Sequence, residues 1–96
     1  MSSLLITNCR LPDSQDGAPL RSILVRDGSI ERIADTGWRV NADCEIDAGG
    51  RLVSPGFIDV HIQGAGGADV LDATPEALRT ISQTCARFGV TAFLAT

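Results

Sequence analysis

The chain has 96 residues, of which 44% are hydrophobic and 21% are charged, a balance typical of a globular rather than a disordered protein. Its formal net charge of −4, with eight arginines scattered singly along the chain, argues against a nucleic-acid or anionic-membrane surface. No apolar run approaches the roughly 20 residues of a membrane span. Three widely spaced cysteines favour buried, reduced thiols in a cytoplasmic protein over a disulfide framework.

The amino-terminal half predicts short strands separated by turns. Residues 4–9 form an apolar run that predicts a first strand. Residues 22–26 and 29–34 flank Asp27-Gly28, and both are rich in residues that favour strands. Asp-Gly between two such runs is a strong hairpin signal, because both central positions of a type I′ turn need a positive φ.

A second hairpin is predicted a little further along the chain. It would join residues 43–47 to residues 51–54 across Ala48-Gly49-Gly50. Together these segments predict a small antiparallel sheet without chemistry of its own, in which Trp38 and Ile46 belong to the core.

The second half predicts a strand, a flexible glycine-rich loop, a helix and an apolar strand, at residues 57–63, 64–67, 75–88 and 90–95. Thr74 is a suitable N-cap for the helix, and Gly89 is the residue expected just after its end. An apolar stripe at helical spacing runs along it, formed by Leu78, Ile81, Cys85 and Phe88. This order predicts a βαβ unit with parallel strands.

The first strand of that unit carries the polar residues of interest. Because side chains alternate along a strand, this strand is predicted to have two different faces. The apolar face carries Ile58, Val60 and Ile62, and the polar face carries Asp59, His61 and Gln63. A buried polar face is costly unless its groups are hydrogen-bonded or bind something. His61 and Gln63 fall at the carboxyl end, where (β/α)8 barrels place their active sites. Spacing alone leaves a structural role open, since a single His is more often a hydrogen-bonded core residue.

Longer motifs add a resemblance to a known family. Residues 52–61, with Pro55-Gly56, Asp59 and His61, resemble the P-G-x-I-D-x-H segment that opens the barrel of the amidohydrolase superfamily. Residues 64–69 and 89–96 are similar to the G-x-x-G-x-D loop and the G-x-T-x-x-x-x-T segment of N-acetylglucosamine-6-phosphate deacetylases. The resemblance covers essentially the whole chain.

The resemblance implies an α/β fold in two parts. Residues 1–54 would form a small β-sandwich-like accessory domain, and residues 55–96 the first βαβ unit, and thus the truncated start, of a metal-dependent hydrolase (β/α)8 barrel. The family hydrolyses the N-acetyl amide of N-acetylglucosamine-6-phosphate, giving glucosamine-6-phosphate and acetate. The resemblance also implies a divalent metal cofactor. Zinc is the first choice, and iron, manganese and cobalt are alternatives. The resemblance further implies that the complete enzyme is a cytoplasmic homodimer. Its binding partner would be a small amino-sugar phosphate, and it would bind neither nucleic acid nor a membrane.

One departure from the superfamily pattern bears on the metal. Many members carry H-x-H on this strand, whereas this chain has His61-Ile62-Gln63, and an amide oxygen is a poorer ligand than imidazole for zinc-like ions. The resemblance therefore implies one metal held mainly by residues beyond Thr96. No catalytic residue is expected within this chain, and the 96 residues alone are expected to be inactive. The candidate site residues are His61 and Gln63 as a weak metal or lining position, Gly64, Gly66 and Gly67 as a substrate loop, and Asp59 as a structural hydrogen-bond acceptor.

Two other interpretations stay open. The first keeps the superfamily but changes the substrate, as in a dihydroorotase-like cyclic amidase, a deaminase or an isoaspartyl dipeptidase. H-x-H would favour those enzymes, and His61-x-Gln63 speaks against them. The second is a non-enzymatic small β-rich module, in which His61 and Gln63 are polar core residues.

Overall fold

Strands predominate in the mixed α/β structure of this chain, which a computed structural model describes for residues 2–96. The elements are β1 (Ser3–Cys9), β2 (Arg21–Arg26), β3 (Ser29–Asp35), β4 (Cys44–Asp47), β5 (Phe57–Ile62), β6 (Gly64–Ala65), β7 (Ala68–Asp69), a 3₁₀ helix (Val70–Asp72), α1 (Pro75–Arg87) and β8 (Val90–Ala95). They fall into two compact units, Met1–Ser54 and Pro55–Thr96.

The first unit is a four-stranded sheet with the order β3-β2-β1-β4. β2 pairs antiparallel with both β1 and β3. The turn between β2 and β3 has φ of 50° at Asp27 and 82° at Gly28, the positive values that a two-residue hairpin turn requires. The predicted Asp-Gly hairpin is therefore confirmed.

The predicted second hairpin is wrong, and the sheet is mixed rather than antiparallel. β4 pairs in parallel with β1, and the segment after it continues in the same direction, with a parallel bridge between Arg10 and Leu52. Ala48 N donates to Thr7 O at 2.8 Å, and Val53 N donates to Arg10 O at 2.8 Å. These backbone donors are used by β1 and its extension, so residues 51–54 cannot fold back onto β4.

The core of the first unit lies along β1 and β2. The most deeply buried apolar side chains there are Leu5, Cys9, Ile23 and Leu24. Trp38 is half-buried, with the guanidinium of Arg32 at 4.6 Å from its ring centroid. Ile46 is 49% exposed, so its prediction as a core residue is wrong. Its strand, β4, is the edge of the sheet, where only one neighbouring strand covers it.

A polar contact closes the end of the β1–β4 pair. Asn8 adopts φ of 56°, and its Nδ2 donates to Asp47 Oδ1 at 3.0 Å. Gly49 N donates to the same oxygen at 2.8 Å. These two hydrogen bonds, the one from Asn8 first, hold the pKa of the Asp47 carboxyl below its usual value.

The second unit contains a parallel strand pair joined through a helix. β5 and β8 pair in parallel, as the strand–helix–strand pattern predicted. α1 starts where Thr74 accepts a hydrogen bond from Ala77 N at 3.1 Å, and Gly89 follows its end with φ of 85°. Both predicted ends are thus confirmed to within one residue. The apolar stripe is only partly buried, since Ile81 and Cys85 are covered whereas Leu78 and Phe88 are exposed.

The cysteines are free, as predicted, but they are not all buried. Cys9 and Cys85 lie in the interior of their respective units, whereas Cys44 is exposed on β4. Burial, and then the nearby Asp47 carboxylate, raise the pKa of the Cys9 thiol. The expectation of three buried thiols therefore fails at Cys44, because it lies on the edge strand.

Candidate functional site at the carboxyl ends of β5 and β8

A β-bulge interrupts β5 just before its polar end. Asp59 is paired with Phe93 and Ile62 with Ala95, so three steps along β5 match only two along β8. An extra residue of this kind bends a strand and re-aims its side chains. The strict alternation predicted for this strand is therefore wrong. Its apolar side chains are also not packed within this chain, since Ile58 is 67% and Val60 68% exposed.

The carboxylate of Asp59 stabilises the bulge. Its Oδ1 accepts a hydrogen bond from the backbone N of His61 at 3.0 Å, two residues along the chain. A bulge disrupts the ladder and leaves a backbone group without its regular partner. The Asp59 side chain supplies an acceptor for that group, so its position is tied to the backbone of His61.

The imidazole of His61 reaches across to the end of the neighbouring strand. Its Nδ1 lies 2.7 Å from Oγ1 of Thr96. Thr96 is itself held by a hydrogen bond from its backbone N to the carbonyl oxygen of Ile62 at 3.0 Å. The side chain of His61 is exposed, so the rest of its ring is accessible to a ligand. The two parallel strands thus bring together groups 35 residues apart in the sequence.

Gln63 follows directly after β5 and is exposed. Its backbone carbonyl accepts a hydrogen bond from Val70 N at 2.8 Å, which closes the base of the following loop. The backbone of Gln63 therefore has a structural role, and its side chain is accessible.

The glycine-rich segment is a tight hairpin of β6 and β7 rather than the flexible loop that the sequence suggested. Gly66 and Gly67 form its turn, with φ of 63° and 86°. A Cβ on Gly66 would lie 2.2 Å from Oγ1 of Thr84, whereas a Cβ on Gly67 would meet nothing within 4 Å. Gly66 therefore allows the hairpin to approach α1, and Gly67 leaves its outer side open.

Asp69 links this hairpin to the 3₁₀ helix. Its Oδ1 accepts from Leu71 N at 2.8 Å, while its backbone N donates to Oδ2 of Asp72 at 2.9 Å. This reciprocal pair is a capping box that fixes where the helix begins. Both carboxylates are used locally, which gives the aspartate of the G-x-x-G-x-D motif a structural function.

The residues of this chain do not form a metal site by themselves. Within residues 2–96, no group of three or more His, Cys, Asp or Glu side chains is placed to hold an ion. His61 is the single histidine, and the carboxylate of Asp59 is bound to its backbone. A catalytic zinc site normally needs three protein ligands. The donor set of residues 2–96 does not supply them.

Two features of the site, Thr96 and the bulge, were not predicted from the sequence. Thr96 closes the G-x-T-x-x-x-x-T segment, and the pairing of two parallel strands places their carboxyl ends at one edge. That signal was available for Thr96. The bulge had no comparable signal, because it depends on the register between β5 and β8. Separately, no helix in the described part of the chain is long and apolar enough to span a membrane.

Comparison with known proteins identifies relatives over nearly the whole chain. The N-acetylglucosamine-6-phosphate deacetylase of Lysinibacillus sphaericus is 32% identical over 94 residues, covering 98% of this chain and 24% of that protein. Along nearly its whole length the chain is similar to the N-acetylglucosamine-6-phosphate deacetylases. The family resemblance predicted from the sequence motifs is therefore confirmed, although no family model matches the chain.

Solved structures support the same fold. The crystal structure of N-acetylglucosamine-6-phosphate deacetylase from Pasteurella multocida superposes with a TM-score of 0.82 over 97% of this chain and 25% of that one, at 23% identity. L-hydantoinase from Arthrobacter aurescens is 41% identical but covers 66% of this chain and 14% of that one, with a TM-score of 0.54. The chain thus spans about a quarter of the length of the deacetylases it matches.

Proposed function

We propose that this chain is part of a metal-dependent deacetylase that hydrolyses the N-acetyl amide of N-acetylglucosamine-6-phosphate to glucosamine-6-phosphate and acetate. The observation that carries the proposal is the match to deacetylases along 98% of the chain. It includes the strand end that bears Asp59, His61 and Gln63, where polar groups lie at the carboxyl end of a parallel strand pair.

In this proposal the two units have different tasks. Residues 1–54 are an accessory β-domain, and residues 55–96 begin the catalytic barrel with its first βαβ unit. The polar end of β5 then lies at the barrel face that carries active sites. His61 and Gln63 line that site, the hairpin with Gly64, Gly66 and Gly67 borders the substrate, and Asp59 is structural.

The remaining parts of the proposal concern the complete protein. The metal, zinc or alternatively iron, manganese or cobalt, is held by groups outside this chain, since residues 2–96 do not supply three ligands. The complete protein acts as a cytoplasmic homodimer on a small amino-sugar phosphate. The 96 residues by themselves have no deacetylase activity.

A second candidate function is that of a cyclic amidase. The likeness to L-hydantoinase supports it. That likeness covers two thirds of the chain and superposes less well than the deacetylase structure. The His61-Ile62-Gln63 triplet also departs from the H-x-H pattern of the metal-binding first strand. Both observations favour the deacetylase.

The test begins with the coding sequence beyond the codon for Thr96. If it continues, the complete protein is expressed, and acetate release from N-acetylglucosamine-6-phosphate is measured beside ring opening of a hydantoin. Acetate release that is abolished by a chelator and restored by zinc supports the proposal. Ring opening without deacetylation, or a stop codon directly after Thr96, overturns it. The 96-residue chain is the matched inactive control.

A further inference from the structure

The contact between His61 and Thr96 involves Nδ1 of the imidazole, and the ring's tautomer decides which of the two groups donates. The Thr96 hydroxyl has one proton and two acceptors within reach, His61 Nδ1 at 2.7 Å and Ile62 O at 3.5 Å. Ile62 O already accepts from Thr96 N at 3.0 Å, and 3.5 Å is at the outer limit for a hydrogen bond between oxygens. Of these two acceptors within the protein, His61 Nδ1 has the better geometry for the hydroxyl proton.

We propose that Thr96 donates to Nδ1 of His61 and thereby holds the neutral ring as its Nε2–H tautomer. His61 then presents a hydrogen-bond donor at the open carboxyl ends of β5 and β8. Its ligand is an acceptor oxygen of the substrate. This inference deepens the proposed function and rests on the role assigned there to this strand end.

The proposed tautomer argues against His61 as a metal ligand. An imidazole that binds a metal through Nε2 offers a lone pair there and donates its Nδ1–H to an acceptor. Thr96 produces the opposite arrangement, because it gives its proton to Nδ1. The ring can bind an oxygen without rearrangement, but it would have to exchange tautomers to bind zinc.

Asp59 is the second positioning residue. His61 lies within the register shift of β5, and its backbone N donates to Asp59 Oδ1 at 3.0 Å. Thr96 holds the ring, whereas Asp59 holds the backbone from which the ring projects. Thr96 and Asp59 orient the Nε2–H donor of His61 without contacting the substrate themselves.

The tautomer can be measured without any activity. Because His61 is the only histidine, the imidazole ¹⁵N signals of the chain belong to one ring. With the ring neutral, we expect the wild-type signals to show Nε2 protonated and Nδ1 unprotonated. Thr96→Val removes the hydroxyl with little change of shape and should shift the signals towards a mixture of tautomers, whereas Thr96→Ser should retain the wild-type pattern. A wild-type ring protonated mainly on Nδ1 would overturn the proposal.

Amide hydrogen exchange tests the role of Asp59. The backbone amide of His61 should exchange at least about tenfold faster in Asp59→Ala, because the hydrogen bond to the carboxylate is lost. Asp59→Asn keeps an acceptor oxygen at the same position and should retain most of the protection. Unchanged exchange in Asp59→Ala would refute the positioning role. The amides of α1 report whether each variant is folded.

Metal content separates this inference from the proposed function. In the complete protein, His61→Ala should keep its metal and raise KM roughly three- to tenfold, as expected for the loss of one hydrogen bond to substrate. Loss of the metal from that variant would overturn the donor role while leaving the deacetylase assignment intact. Failure of wild-type deacetylation with the Nε2–H tautomer present would instead overturn the proposed function alone.

Discussion

The contact between the β6–β7 hairpin and α1 provides the sharpest test of the fold around the site. Gly66 and Gly67 are adjacent and both have positive φ, so an alanine at either position pays the same kind of backbone penalty. They differ in their surroundings. A Cβ on Gly66 would lie 2.2 Å from Thr84 Oγ1 and 3.3 Å from Thr80 Cγ2, whereas a Cβ on Gly67 would be free. Gly67→Ala is therefore a matched control for Gly66→Ala.

The geometry allows the loss in free energy of unfolding to be worked out for each variant. A left-handed conformation costs an alanine about 1–2 kcal/mol, which is the whole effect expected for Gly67→Ala. In Gly66→Ala the Thr84 side chain must also move, and it loses the 2.8 Å hydrogen bond that its hydroxyl donates to Thr80 O. Overpacking adds about 1–3 kcal/mol and the lost hydrogen bond about 1 kcal/mol. We therefore expect Gly66→Ala to lower the free energy of unfolding by about 2–4 kcal/mol more than Gly67→Ala.

Urea denaturation followed by far-UV circular dichroism measures this difference, since that signal follows α1. Thr84→Ala removes the clashing oxygen, so combining it with Gly66→Ala should recover about 1–2 kcal/mol in a double-mutant cycle. Equal losses in Gly66→Ala and Gly67→Ala, or no coupling between Gly66→Ala and Thr84→Ala, would show that the hairpin does not pack on the helix as described.

Three further predictions concern single residues. Asn8→Gly keeps the left-handed backbone but removes the hydrogen bond to Asp47, so a carboxyl ¹³C titration should show a higher Asp47 pKa. The stability from this contact is present above the ordinary pKa of an aspartate and lost as the pH falls through the lowered folded-state value, so wild type should lose more stability on acidification than the variant. Thr74→Ala should destabilise α1 by about 1 kcal/mol in thermal unfolding, and Thr74→Ser should not. A thiol reagent should modify Cys44 rapidly, whereas the two buried thiols should react only on unfolding.

Features that depend on neighbouring residues could be predicted from the sequence. The β2–β3 turn follows from the positive φ that Asp27 and Gly28 must adopt, and the start of α1 follows from the Thr74 side chain and the amide it caps. The family could likewise be recognised, because each of its three motifs lies in a continuous segment. Each of these conclusions uses information within a few residues along the chain.

Features that depend on strand register could not be predicted in the same way. β4 is four residues long and is followed by Ala48-Gly49-Gly50, a pattern compatible with a hairpin as well as with a parallel strand. Its actual partner, β1, is 40 residues away, as the pairing of Leu4 with Cys44 shows. The position of His61 is set by a bulge against β8, and no local signal marks that bulge. Part of the site geometry was therefore visible only in the structure.

The apolar side chains of β5 are exposed in this chain, although their sequence pattern is that of a strand covered by other elements. Ile58 is 67% exposed, whereas Ile81 on α1 is fully buried. Ile81→Ala should therefore cost about 2–5 kcal/mol in the 96-residue chain, and Ile58→Ala well under about 1 kcal/mol. Because the chain spans a quarter of its relatives' length, we expect Ile58→Ala to cost as much as a core substitution once the complete protein surrounds β5. Denaturation of both variants in both proteins measures this, and an equally small Ile58→Ala effect in the complete protein would refute the placement of β5 inside a barrel.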